Sequence, residues 1–123
     1  APPAAVAVTT ATRKFPGFLT FEEAREAFRQ RQGAPSVLYF HNEGEDECRQ
    51  QAMILQLTPV APYSEKVIFA EIPLRENPEL AQRYGVAKAP CWLFFDGTGN
   101  LIDQKNRMLR APEIAHSINQ ILP

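Results

Sequence analysis

Cysteine is scarce in this 123-residue chain, which carries only Cys48 and Cys91. Two thiols cannot build a disulfide-dense scaffold or supply a four-cysteine zinc site. They allow one disulfide between Cys48 and Cys91, two free thiols, or one reactive and one buried thiol. An excess of either charge is also missing: 13 Lys and Arg stand against 14 Asp and Glu, for a net charge of −1. No basic run occurs, so there is no electrostatic case for nucleic acid or an anionic membrane as partner. Long apolar runs are absent as well. The longest fall far short of the roughly 20 residues that a membrane span requires, and no transmembrane segment is expected.

What is present fits one globular domain, with 45% apolar and 22% charged residues. Eleven prolines imply many short elements separated by fixed turns. Residues 1–17 read as a flexible arm, with one short strand at 6–10, and residues 18–123 as the domain. The opening Ala-Pro-Pro-Ala-Ala-Val lacks the positive start and apolar core of a signal peptide. It resembles the small-residue segment that follows a removed one. The expectation is a periplasmic or secreted protein, with a cytoplasmic one as the alternative.

Thr20 and Glu23 form a capping box that starts a helix over 21–32, whose apolar stripe is Phe21, Ala24 and Phe28. Gly33 ends it and Pro35 prevents its resumption. The continuous β-forming run at 36–41 predicts a buried central strand. After an acidic stretch, a helix over 45–57 places Cys48, Ala52 and Leu55 on one face. A strand at 67–74 follows, with Pro73 at its end or on an edge because it cannot donate to a ladder. Asn77-Pro78 reads as a capped helix start, and Gly85 stops that helix. Strands at 91–95 and 101–104 form a hairpin through Asp96-Gly97-Thr98-Gly99-Asn100. A last helix from Pro112 buries Ile114, Ile118 and Ile121. Strands separated by helices predict parallel neighbours, the hairpin an antiparallel edge, and helices should cover both faces of a mixed sheet.

Three segments carry a resemblance to a known family. These are Val37-Leu38-Tyr39-Phe40 with the cysteine-bearing helix behind it, Asn77-Pro78-Glu79-Leu80-Ala81 with Tyr84-Gly85-Val86, and Ala89-Pro90-Cys91-Trp92-Leu93-Phe94-Phe95-Asp96-Gly97. Together they resemble the thioredoxin-like superfamily over residues 21–122. The helix before the central strand suits its exported members. The resemblance implies an α/β thioredoxin-like fold with a cis-proline loop at Pro90. It also implies that the two-cysteine redox site falls on Glu45-Asp46-Glu47-Cys48 and that Ala89 and Pro90 flank that site.

The departures from the family pattern decide the chemistry. Glu45 stands where the resemblance implies the attacking cysteine, so only the second thiol position survives. Tyr39 replaces a buried acid that helps move protons, and Glu71 replaces its lysine partner. Dithiol exchange needs one thiolate to attack and a second thiol to resolve, and a carboxylate can do neither. Cys48 acting alone would gain from a helix N-terminus, but Glu43, Glu45, Asp46 and Glu47 crowd it with like charge. Adding His41 to this cluster suggests zinc, yet no recurrent ligand spacing appears and acids at a helix start are favoured by the dipole alone. No metal and no cofactor is expected. Trp92, Phe94, Phe95, Tyr39 and Phe40 read as core. Two functions remain. The first is a noncatalytic module that binds an extended peptide or protein in the groove beside Pro90; the second is a monothiol redox protein that uses Cys48, with Cys91 or an outside thiol resolving.

Overall fold

A computed structural model describes residues 15–57 and 60–123; the strand expected at 6–10 lies outside them. In chain order the elements are β1 (Leu19–Thr20), α1 (Phe21–Gln30), β2 (Ser36–His41), α2 (Asp46–Leu57), a 3-10 turn (Ala61–Tyr63), β3 (Ile68–Pro73), α3 (Pro78–Arg83), β4 (Cys91–Phe95), β5 (Leu101–Lys105) and α4 (Ala111–Ile121). The sheet has the order β1-β3-β2-β4-β5. β3 pairs in parallel with β1 and β2, whereas β4 runs antiparallel to β2 and β5. This is the mixed α/β sheet that the element order predicts.

Alternation along β2 and β4 divides the core between the two faces. Val37, Tyr39, Trp92 and Phe94 pack with Leu55 of α2 and with Ile114, Ile118 and Ile121 of α4. Leu38, Phe40, Cys91 and Leu93 pack on the other face with Ala24 of α1 and Ala81 of α3. Both sides of the central strands are therefore dry, which explains why β2 and β4 read as unbroken apolar runs rather than alternating ones. Tyr39 and Trp92 stack with ring centroids 4.5 Å apart. Tyr39, Phe40, Trp92 and Phe94 are core, whereas Phe95, expected there too, is half-buried at its edge.

Local chemistry sets the ends of these elements. Thr20 and Glu23 complete a reciprocal capping box on α1. Asn77 occupies the cap position of α3 but makes no side-chain capping bond; its Nδ2 turns back and donates to the Pro73 carbonyl at 2.8 Å. The cap expected from Asn77 is thus corrected: the carboxamide serves a strand-end carbonyl instead. Gly97 has no room for a side chain, because a Cβ there would overlap the Gly33 carbonyl oxygen.

The packed chain also begins earlier than expected. Phe15, assigned by sequence to the arm, is buried among Phe18, Tyr39 and His41. Its N–H donates to Glu71 Oε2 at 3.0 Å, and its carbonyl accepts from Phe18 N–H at 3.2 Å across the Pro16-Gly17 turn.

Candidate functional site at the C-terminal end of the central strand

Three loops converge where β2 ends. The first, residues 42–45, leads from His41 into α2, with Gly44 at a φ of 90°. The second follows β3 and is tied to the first by Leu74 N–H donating to the His41 carbonyl at 2.8 Å. The third holds Ala89 and Pro90, joined by a cis peptide. The Phe40–Cys91 pairing places this loop at the same end of the sheet.

Glu45 is fixed at the junction. Its Oε2 accepts from Asn42 Nδ2 at 2.9 Å and from the Arg75 guanidinium at 3.0 Å. Asn42 completes the arrangement, because its Oδ1 accepts the Arg75 backbone N–H at 3.1 Å. The position that the resemblance gives to an attacking thiol thus holds a carboxylate that clasps two loops. Asp46, by contrast, is exposed and pairs with Arg49 one turn along, and Glu47 is exposed.

Cys48 lies in the first turn of α2 and is buried; its Sγ accepts the Asn42 N–H at 3.4 Å. Burial, above all, pushes this thiol above its ordinary pKa. The charges of Glu45 and Glu47 add to the rise, and the Asn42 amide and Arg75 oppose it. Sequence reasoning attributed the effect to the acids; desolvation is larger. Of the four acids near Cys48 in sequence, Glu45 and Glu47 contribute to the rise.

The Cys48–Cys91 disulfide weighed from sequence is not formed; both thiols are free. The sheet separates them. Cys48 sits with Phe15, His41 and Ala52 on the Tyr39 face, whereas Cys91 is packed with Phe40 and Leu93 on the other. Cys91 Sγ donates to Asn106 Oδ1 at 3.1 Å, and burial pushes its pKa up to about 11. Among the described residues, no group of three or more His, Cys, Asp or Glu converges as a metal site would require. No helix there is long and apolar enough to cross a membrane.

Sequence reasoning missed Asn42, Arg75 and Gln51. The first two become neighbours only through the β2–β3 pairing, and nothing local marks them. Gln51 did leave a signal: it lies within the apolar stripe of Cys48, Ala52 and Leu55. It is fully buried, with Oε1 accepting from Trp92 Nε1 at 3.0 Å and Leu109 N–H at 2.6 Å, while Nε2 donates to the Leu109 carbonyl at 2.8 Å.

A mixed five-stranded sheet covered on both faces, with a helix N-terminus and a cis-proline loop at the same end, defines the thioredoxin fold. Solved thioredoxins superpose on it closely. The Thermus thermophilus thioredoxin matches with a TM-score of 0.69 and 22% identity, covering 89% of this chain and 88% of that one. The Fasciola hepatica thioredoxin gives 0.67 and 20%, covering 83% and 94%. Deadhead, the germline-specific thioredoxin of Drosophila melanogaster, gives 0.70 and 15%, covering 85% and 97%. No family model and no curated protein matches the sequence. At these identities the likeness is one of fold.

Proposed function

We propose that this protein is a noncatalytic thioredoxin-fold module that binds an extended peptide or protein segment along the main chain of Ala89, beside Pro90. The observation that carries the reading is the backbone of Ala89. Among the described residues, no backbone–backbone hydrogen bond of the turns and loops engages its N–H or its carbonyl, and the residue, though largely buried, lies at the sheet end where three loops meet. A strand laid against it would find a donor and an acceptor ready for β-augmentation. Binding of this kind needs no thiol.

The state of the former redox position supports the same reading. Glu45 cannot attack a disulfide, and its carboxylate is committed to Asn42 and Arg75. The raised pKa of Cys48 disfavours the thiolate that a monothiol mechanism would need. Peptides selected from a display library, titrated into 15N-labelled protein, test the proposal. Chemical-shift changes should centre on Lys88, Ala89 and Cys91 and persist in Cys48→Ser. Selected peptides that shift other surfaces, or lose affinity on Cys48→Ser, would refute it.

A further inference from the structure

Pro90 lies between two chain segments of opposite charge. β4 is flanked by β2 and β5 and runs antiparallel to both, so the loop that starts it sits between the ends of those two strands. The end of β2 leads into Glu43, Glu45, Asp46 and Glu47, and residues 42–48 include no basic side chain. The end of β5 leads through Lys105, Arg107 and Arg110, and residues 105–110 include no acidic one. We propose that the groove beside Pro90 takes an extended segment carrying charges of both signs, its basic side chain toward the start of α2 and its acidic one toward residues 105–110. The inference rests on the peptide-binding reading and names the class of segment selected.

Hydrogen bonds hold both walls close to the groove. Asn106 Oδ1 accepts from the thiol of Cys91, the residue after Pro90, at 3.1 Å. Leu109 exchanges hydrogen bonds with Gln51 of α2. Glu47 precedes Gln51 by four residues, which puts it on the helix face that meets this segment. Most of the charges are already paired: Glu45 with Arg75, Asp46 with Arg49, Lys105 with Asp103 and Arg107 with Glu113. Glu47 on one wall and Arg110 on the other are exposed, and among the described residues no ion pair engages either. A guest can meet these two without breaking an existing pair. Successive side chains of an extended strand point to opposite sides, so neighbouring basic and acidic residues answer both walls at once. A segment of one sign is attracted by one wall and repelled by the other.

The experiment titrates three capped nonapeptides into 15N-labelled protein at low salt. They share the same apolar residues and carry, at two neighbouring central positions, lysine with glutamate, two lysines or two glutamates. The lysine–glutamate peptide should bind about threefold or more tighter than either of the others, since one exposed ion pair contributes up to about fivefold. Raising the salt to about 0.5 M should erase the difference. Glu47→Lys should move the preference to the two-glutamate peptide, and Arg110→Glu to the two-lysine peptide. The comparison on the unaltered protein does not depend on either variant folding. Equal affinities for the three peptides, or preferences that neither substitution moves, would overturn this inference while shifts centred on Ala89 left the peptide reading standing. Shifts that avoid Ala89, or none at all, would defeat both.

Discussion

Tyr39 stands directly opposite Glu71 across the parallel β2–β3 pair, and both side chains are buried on the same face of the sheet. The resemblance implies an acid on the central strand and a lysine beside it. Here the acid sits on the neighbouring strand and its carboxylate holds the Phe15 amide. Burial, and then the nearby Cys48 and Glu71, keep the Tyr39 phenol far above its ordinary pKa. The phenol stays protonated at any physiological pH, so Tyr39 itself offers Cys48 no proton acceptor.

Redox activity should accordingly be absent. With dithiothreitol as electron source, the protein should reduce insulin disulfides no faster than the uncatalysed background, followed by turbidity. Glu45→Cys should create a second thiol able to form a disulfide with Cys48, detectable by mass after alkylation. Turnover should stay low in that variant, because Tyr39 and Glu71 leave the proton-handling pair missing. Robust turnover by the unaltered chain, abolished by Cys48→Ser, would establish monothiol chemistry instead.

Alkaline pH should weaken the fold. Burial raises both thiols, Cys91 to about 11, whereas a thiol in the unfolded chain titrates near 8.5, at about its ordinary value. Between those values the unfolded chain has released protons that the folded chain still binds, so stability falls as pH rises. The urea midpoint should be level below about pH 8 and decline from there toward pH 11. Cys91→Ala should flatten that decline, and an equally steep decline in the variant would refute the assignment.

Gln51→Leu should destabilise the protein by roughly 3 kcal/mol or more, since each buried partner left unpaired costs about 1–3 kcal/mol. The partners stranded would be Trp92 Nε1 and both backbone groups of Leu109. Chemical denaturation measures this; a variant as stable as the parent would show that water replaces the carboxamide freely.

Ile118 is fully buried in the middle of the α4 stripe. Ile118→Ala should cost on the order of 2–5 kcal/mol. An unchanged denaturation midpoint would mean that α4 contributes little to the core. Gly97→Ala should cost roughly 1–3 kcal/mol by overpacking, because the Gly33 backbone itself has to move. Thermal denaturation of the two proteins side by side checks this.

The legible parts of the fold are those written in local periodicity. The Thr20–Glu23 box, the apolar run of β2 and the Ile114, Ile118 and Ile121 stripe each carry their own signal, and each matches its element to within a residue or two. The site was only half legible. Glu45 and Cys48 could be located because they follow β2 directly, and a carboxylate in place of a thiol is decisive on its chemistry. Arg75 could not be found, because its contact with Glu45 spans 30 residues and depends on β3 pairing with β2. By sequence Phe15 belongs to the arm, because the Pro and Ala upstream of it read as flexible. Its burial depends on Glu71, 56 residues away.

The carboxamide of Gln51 also ties distant parts of the chain together, for it joins α2, β4 and the stretch ahead of α4. The stretch that leads into the carboxy-terminal helix is thus anchored on a partner from the first half of the chain. A chain truncated before residue 109 would keep the Trp92–Gln51 hydrogen bond but strip the carboxamide of both Leu109 partners, so the last fifteen residues complete a polar contact that begins in α2.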